Sequence, residues 1–260
     1  MNIDGRVVVV TGGGSGIGAA LSRRFAAAGA AQVIVADLNE DAARDVAAEI
    51  GAEAVGTDVT DEAAVRALVE HCLQVHGRVD IYCSNAGVGL GRGPESPDSA
   101  WQKSWEVHVM GHVYASRALL PGWLERGEGY FVGTVSAAGL LNQVLSAPYG
   151  VTKAAGLSFM EWLAINYGDR GVRVSALCPQ GVRTPMLNMS GSTFLDEGAL
   201  EPTDVAEVVV RAIADEPFLI LPHPEVAEYF RRKGDDYERW IRGMRRLRAR
   251  LDQASSSAPG

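Results

Sequence analysis

Cysteine is scarce in this chain. The three residues present, Cys72, Cys83 and Cys178, are odd in number and form no CxxC pair, which excludes a disulfide framework and a zinc knuckle and makes a reducing cytoplasm the expected compartment. No apolar run approaches the roughly 18 residues a membrane span needs, and the first six residues, which include Asp4, lack the basic start of an export signal. Neither a membrane partner nor export is expected. Positive charge is also in deficit: 24 Lys and Arg against 32 Asp and Glu leave a net charge of −8, which argues against nucleic acid, whose phosphates are bound by basic surfaces. The deficit is uneven, because residues 231–250 carry eight Arg and one Lys against Asp235, Asp236 and Glu238. Metal ligands are thin. His108 and His112 stand at i and i+4, but no catalytic Glu lies between them and no third ligand is apparent, so no metal is expected.

What the chain has in quantity is apolar sequence, 47% of 260 residues, enough to bury one substantial core. Short β-branched runs at residues 6–10, 32–36, 53–56, 79–83, 130–135, 172–177 and 218–221 read as strands. Between them, Ala-rich stretches of helical period occupy 16–28, 41–50, 61–76, 99–125, 149–167 and 203–214. That alternation predicts an α/β fold: a doubly wound, Rossmann-type parallel sheet of about seven strands with helices on both faces, binding ligands beyond the carboxyl edge. The catalytic domain is expected over 1–224, with a mobile lid at about 185–202 that supplies Met186, Leu187, Met189, Phe194 and Leu195. A helical extension follows over 225–253, its Trp240, Met244, Leu247 and Leu251 at helical spacing on an apolar stripe, with arginines toward water or an acidic surface. Residues 254–260, small and polar, are expected to be disordered.

The first strand runs into Thr11-Gly12-Gly13-Gly14-Ser15-Gly16-Ile17-Gly18 and then into a helix. Glycines at such a turn let backbone approach a pyrophosphate and set that anion at the positive helix N-terminus. Asp37 ends the second strand about 20 residues further on, the place of a carboxylate that binds the adenosine ribose hydroxyls. The same carboxylate would also serve as a cap for a helix starting near Asn39 or Asp41, and the two roles are compatible.

Thr11-Gly12-x-x-x-Gly16-x-Gly18, Asn85-Ala86-Gly87 after the fourth strand, and Tyr149-x-x-x-Lys153 preceded by Ser136 occur in one order and at one spacing. In these motifs, over about residues 5 to 185, the chain resembles the short-chain dehydrogenase/reductase family. The resemblance implies a nicotinamide-dependent oxidoreductase, assembled as a homodimer or homotetramer through the helices containing Gly111 and Tyr149, and Asp37, which would repel a 2′-phosphate, makes NAD the expected cofactor. It implies that Tyr149 exchanges the proton of an alcohol or carbonyl oxygen, that Ser136 hydrogen-bonds that oxygen, and that Lys153 holds the nicotinamide ribose. By the same resemblance Ser15, Ile17 and Leu38 join the dinucleotide site, Asp58 and Val59 border the adenine, and Asn85, Ala86 and Gly87 support the cofactor. Pro179, Gly181, Val182 and Thr184 belong to a segment that contacts the nicotinamide. The chain departs from the family at Gln180, where Gly is usual, and at His108, where the family has an Asn that holds a water near the lysine.

The residues give these roles a physical basis. Tyr149 and Lys153 share one helix face, where an ammonium favours the phenolate and lowers a pKa ordinarily near 10. Alone, the pair would read as an interface aromatic and a solvated lysine, and Asp58 as a cap for the helix near Asp61. Imidazole both donates and accepts, so His108 is expected either to relay protons or position water, or to be a His satisfied within the helix. The substrate is expected to be a small secondary alcohol or ketone, mainly apolar about its oxygen. Two other functions fit the sequence: a dinucleotide-binding sensor or scaffold without turnover, and a reductase of carrier-linked 3-oxoacyl chains docked on the basic tail.

Overall fold

The computed structural model describes residues 1–190 and 198–256. Seven strands form one parallel sheet: β1 (Val7–Thr11), β2 (Gln32–Asp37), β3 (Glu53–Gly56), β4 (Ile81–Ser84), β5 (Gly129–Thr134), β6 (Val172–Leu177) and the two-residue β7 (Leu219–Ile220), in the order β3-β2-β1-β4-β5-β6-β7. The order reverses between β1 and β4, the switch point at which such sheets open a ligand crevice. Four consecutive valines in β1 suit a strand covered on both faces. Because side chains alternate, Val7 and Val9 join Ile34, Ala36 and Phe131 in one core layer, while Val8 and Val10 join Val33, Val35 and Ile81 in the other.

The helices are α1 (Gly16–Ala27), α2 (Glu40–Ile50), α3 (Glu62–His76), α4 (Asp98–Trp105), α5 (Gly111–Arg126), α6 (Ala137–Leu141), α7 (Ala147–Tyr167), α8 (Pro185–Ser190), α9 (Pro202–Asp215), α10 (Glu225–Asp235) and α11 (Tyr237–Ser256). Local chemistry sets several ends. Asn39 caps α2 by accepting from the Ala42 N–H at 3.2 Å, Asp61 caps α3 by accepting from the Ala63 N–H at 2.8 Å, and both helices stop at left-handed glycines, Gly51 and Gly77. Asp37 and Asp58 are therefore not the caps of these helices.

Three expectations need correction. The stretch 99–125 is not one helix, because a π-turn at Glu106–Met110 separates α4 from α5, with the Gly111 N–H donating to the Glu106 carbonyl. The wider turn rests on α7 at Gly156, where a Cβ would lie 3.0 Å from the His108 carbonyl oxygen. The tail is two helices rather than one: the chain leaves helical geometry at Asp236, whose side chain caps α11 by accepting from the Arg239 N–H at 2.8 Å. Its helix also continues to Ser256, beyond the expected boundary at 253, and 257–260 lie outside the described residues.

Opposite the ligand edge, Asp80 is wholly buried before β4. It accepts from the Val7 N–H at 2.9 Å and from Arg78 Nε at 2.7 Å, with Arg6 and Arg126 each 3.5 Å away. Hydrogen bonds thus reach both oxygens of this buried carboxyl group. No described helix is long and apolar enough to cross a membrane.

Candidate active site

One cavity of about 2360 Å³ runs along the carboxyl edge of the sheet. It is more than twice the roughly 300–1,000 Å³ of an ordinary small-molecule pocket, room for a dinucleotide and a substrate together. Every site residue expected from the sequence lines it except Gly18 and His108.

At one end the turn after β1 is shaped by absent side chains. A Cβ on Gly12 would stand 2.9 Å from Ala86 Cα, and one on Gly18 would stand 2.0 Å from the Gly12 carbonyl oxygen, so Gly18 packs the turn rather than facing the cavity. Ser15 precedes α1 without a side-chain cap bond, which leaves the donors of the first turn for a ligand. Asn85 fastens this turn to the sheet: its N–H donates to Thr11 Oγ1 and its Nδ2 to the Thr11 carbonyl, both at 3.0 Å. Asp37 accepts from the Gly14 N–H and the Asn39 N–H, both at 2.9 Å, and so holds the turn while bordering the cavity. Asp58 accepts from the Thr60 N–H at 2.9 Å. The cradle of glycines, the free helix terminus and the carboxylate fit a dinucleotide.

Midway along the cavity, Ser136, Tyr149 and Lys153 converge. Ser136 ends the segment after β5 and caps α6 by accepting from the Ala138 N–H at 3.1 Å. Ser146 caps α7, with Pro148 in the first turn, which sets Tyr149 and Lys153 one turn apart. The Lys153 ammonium donates to the Thr134 carbonyl at 2.8 Å and lies 5.6 Å from the centroid of the Tyr149 ring. Burial lowers Lys153 from its usual 10.5 to about 7. Desolvation pushes the Tyr149 phenol above 10, with the neighbouring Ser136 hydroxyl pulling the other way. The phenol is therefore not lowered by Lys153 here.

His108 is wholly buried and does not line the cavity. Its Nε2 accepts from the Val88 N–H at 3.1 Å, so its proton is on Nδ1, which donates to Thr152 Oγ1 at 2.8 Å. The Thr152 hydroxyl in turn donates to the Pro148 carbonyl at 2.7 Å. Burial and the Lys153 charge hold the imidazole neutral, well below its usual 6.5. Both ring nitrogens are thus spent on protein partners, and the geometry favours a satisfied His that ties the loop after β4 to α7 over a relay. His112 turns to Ser84 Oγ, 2.7 Å from its Nδ1, and its Nε2 has no partner. The two imidazoles do not converge, and no group able to hold a metal ion occurs among the described residues.

The remaining walls are apolar and charged, with Glu95, Asp235 and Asp236 beside the arginines of the extension. Met186 and Leu187 of α8 border the cavity, whereas the side chain of Met189 and residues Phe194 and Leu195 lie outside what is described. The segment returns at Leu200, which bridges to Val182. Gln180 finds its reason in the extension: its Nε2 donates to Glu225 Oε1 at 2.6 Å, and its N–H donates to Nδ1 of the buried His223 at 3.2 Å. A glycine there would lose the side-chain tie.

The family model for short chain dehydrogenases matches residues 6–193. This chain belongs to the short-chain dehydrogenase family. Among curated relatives of this short-chain dehydrogenase is the 1-deoxy-11-beta-hydroxypentalenate dehydrogenase of Streptomyces exfoliatus, 35% identical, the match covering 93% of this chain and 91% of that protein. Another is the meso-2,3-butanediol dehydrogenase of Serratia marcescens, 34% identical over 85% of this chain and 92% of that protein. A solved short-chain dehydrogenase/reductase from Burkholderia phymatum, in complex with NAD, superimposes with a TM-score of 0.82 at 32% identity, covering 92% of this chain and 96% of that one. The chain is accordingly an oxidoreductase.

Sequence reasoning missed Thr134, whose carbonyl seats Lys153 and whose hydroxyl donates to Asn85 Oδ1 at 3.0 Å, and Thr152, the partner of His108. Both act through contacts between distant segments and leave no local signal. The arginines of α11 are exposed, as expected of a face toward water or an acidic surface, and Arg239, Arg246 and Arg250 also border the cavity.

Proposed function

We propose that this dehydrogenase uses NAD to interconvert a secondary alcohol and its ketone, with Tyr149 as the acid and base and an apolar surround at the reacting carbon. The observation that carries the reading is the single cavity onto which the glycine turn, Asp37, Ser136, Tyr149 and Lys153 all open. NAD, when bound, supplies the hydride acceptor for oxidation and, reduced, the donor for the reverse. In reduction the Tyr149 hydroxyl gives its proton to the carbonyl oxygen; in oxidation the tyrosine first releases that proton to solvent, and the phenolate oxygen then takes the alcohol proton. Ser136 donates a hydrogen bond to the same oxygen, and Lys153, seated on the Thr134 carbonyl, would hold the nicotinamide ribose when the cofactor is bound. Leu141, Val144, Leu145, Met186 and Leu187 exclude water from that volume.

Asp37 supports NAD over NADP, since its carboxylate would repel a 2′-phosphate and exposed Leu38 supplies no compensating cation. The NAD complex of the Burkholderia phymatum protein and the diol named for the Serratia marcescens relative support the same cofactor class and an alcohol carbon. The test is kcat/KM over a panel of secondary alcohols and ketones with both cofactors. NAD is expected to win, and Tyr149→Phe to lower kcat by roughly 10²–10⁴ with NADH affinity unchanged. Higher kcat/KM with NADP overturns the Asp37 assignment, and NADH binding without turnover of any alcohol or ketone overturns the enzymatic reading.

A further inference from the structure

Two rows of side chains run along α11. Trp240, Met244, Leu247 and Leu251 form a half-buried apolar row, with Trp240 against the core, and one residue earlier at each step stand Arg239, Gly243, Arg246 and Arg250. At 3.6 residues per turn the second row is a strip beside the first, and both border the cavity that holds Ser136 and Tyr149.

Asp235 and Asp236 border the same cavity, yet among the described residues no carboxylate forms an ion pair with the strip. Arg231 and Arg232 pair with Glu228, and Arg248 pairs with Asp252, whereas Arg239, Arg246 and Arg250 make no ion pair among the described residues. Gly243 keeps space between them: a Cβ there would meet only Arg246 Nη2, at 3.8 Å. In a chain of net charge −8, three unpaired guanidinium groups beside an apolar row at the mouth of one cleft present donors suited to a carboxylate, sulfonate or phosphate.

The position of the strip separates it from the dinucleotide site. Lys233 Nζ donates to the Leu140 carbonyl at 2.6 Å and Arg248 Nη1 to the Val144 carbonyl at 3.1 Å, so the α10–α11 hairpin is fastened to α6 and the segment after it. That is the wall of Ser136, not of the glycine turn or Asp37.

We propose that Arg239, Arg246 and Arg250 form a subsite for an anionic head group on the substrate, whose apolar body lies along the Met244–Leu247 row while its carbinol or carbonyl carbon reaches Ser136 and Tyr149. The inference rests on the reading of Tyr149 as the place of reaction, so binding and turnover are tested separately. Full-length enzyme with NADH is titrated with decanoate, decyl phosphate and the neutral decanamide, followed by calorimetry. Both anions are expected to bind about tenfold more tightly than the amide at low salt, with the gap closing at high salt. The tighter of the two anions identifies the head group as carboxylate or phosphate. Arg239→Gln/Arg246→Gln/Arg250→Gln removes the advantage without weakening decanamide, and Gly243→Glu, a single change that sets a carboxylate in the strip, does the same should the triple variant fold poorly. Turnover is read with 9-hydroxydecanoate and its methyl ester: the acid is favoured about tenfold in kcat/KM, and the triple variant lowers the acid to the ester. Equal binding of amide and anions, or an advantage that survives both variants, overturns the subsite. So does a triple variant that changes the oligomeric mass while binding decanoate normally, because the arginines then serve a second copy. Anion binding that obeys the variants without turnover of any alcohol leaves the subsite standing and overturns the reading of Tyr149.

Discussion

His112 sits at 2% exposure with Nδ1 against Ser84 and Nε2 unpartnered, a position that tolerates only the neutral ring. Burial, reinforced by the Lys153 charge, lowers it from 6.5 to about 3, and His108 is lowered in the same direction by the same causes. The unfolded chain therefore binds more protons than the folded one over that interval. The stability tied to His112 is complete above about pH 6.5 and is lost as the pH falls toward about 3. Each buried imidazole is expected to add a slope approaching ~1.4 kcal/mol per pH unit. Urea midpoints between pH 4 and 8 read this directly. His112→Leu should flatten the acid limb while lowering stability at pH 8, where the Ser84 hydroxyl loses its partner; an unchanged acid slope would remove His112 from the account.

Among the elements, the strands were the most legible in the sequence, because four valines in β1 and the β-branched runs of β2 and β6 encode burial on both faces in the side chains themselves. The π-turn was not legible. Its residues, Glu106–Met110, continue a helical period, and what widens the turn is the approach of α7 at Gly156 and the pull of Val88 and Thr152 on His108. Short α6 was hidden for a related reason, since its cap, Ser136, reads equally as a site residue. At the far edge, Asp80 joins β1, β4 and α5 through Val7, Arg78 and Arg126. Asp80→Ala leaves the buried Val7 N–H without its acceptor and takes one partner from each arginine, and is expected to cost about 1–3 kcal/mol, seen as a lower urea midpoint at unchanged NADH affinity, because the dinucleotide cradle lies at the opposite end of the strands. A loss below ~1 kcal/mol would class the cluster with exposed ion pairs.

For the molecule as a whole, the exposed apolar groups are unevenly distributed. Trp105 at 45%, Trp162 at 51% and Ile165 at 81% exposure lie on α4 and α7, whereas Trp123 is core, its Nε1 donating to the Val79 carbonyl at 2.8 Å. We propose that the face carrying Trp162 and Ile165 joins copies of the chain into a homodimer or homotetramer. A Trp162→Glu/Ile165→Glu variant is expected to fall to a smaller mass in sedimentation while remaining folded by circular dichroism. An unchanged mass would place the interface elsewhere, the α10–α11 hairpin being the next apolar surface through Phe230 and Ile241.

The sequence by itself determined the family and the order of the seven strands, and it proposed Gly12, Asp37, Ser136, Tyr149 and Lys153 as site residues, because those features are written in local periodicity and fixed spacing. Of the catalytic and cofactor residues it named, all but Gly18 and His108 border the cavity. What only the tertiary structure decided is how the groups act on one another. Burial set the Tyr149 phenol upward and Lys153 down to about 7, both ring nitrogens of His108 went to Val88 and Thr152, and Gln180 became a tie to α10. The arginines of α11 were visible as a basic run, but a run of charge has no direction until a helix is fastened somewhere. Lys233 on the Leu140 carbonyl and Arg248 on the Val144 carbonyl fix that direction, and so turn a charged stripe into one wall of the active-site cleft.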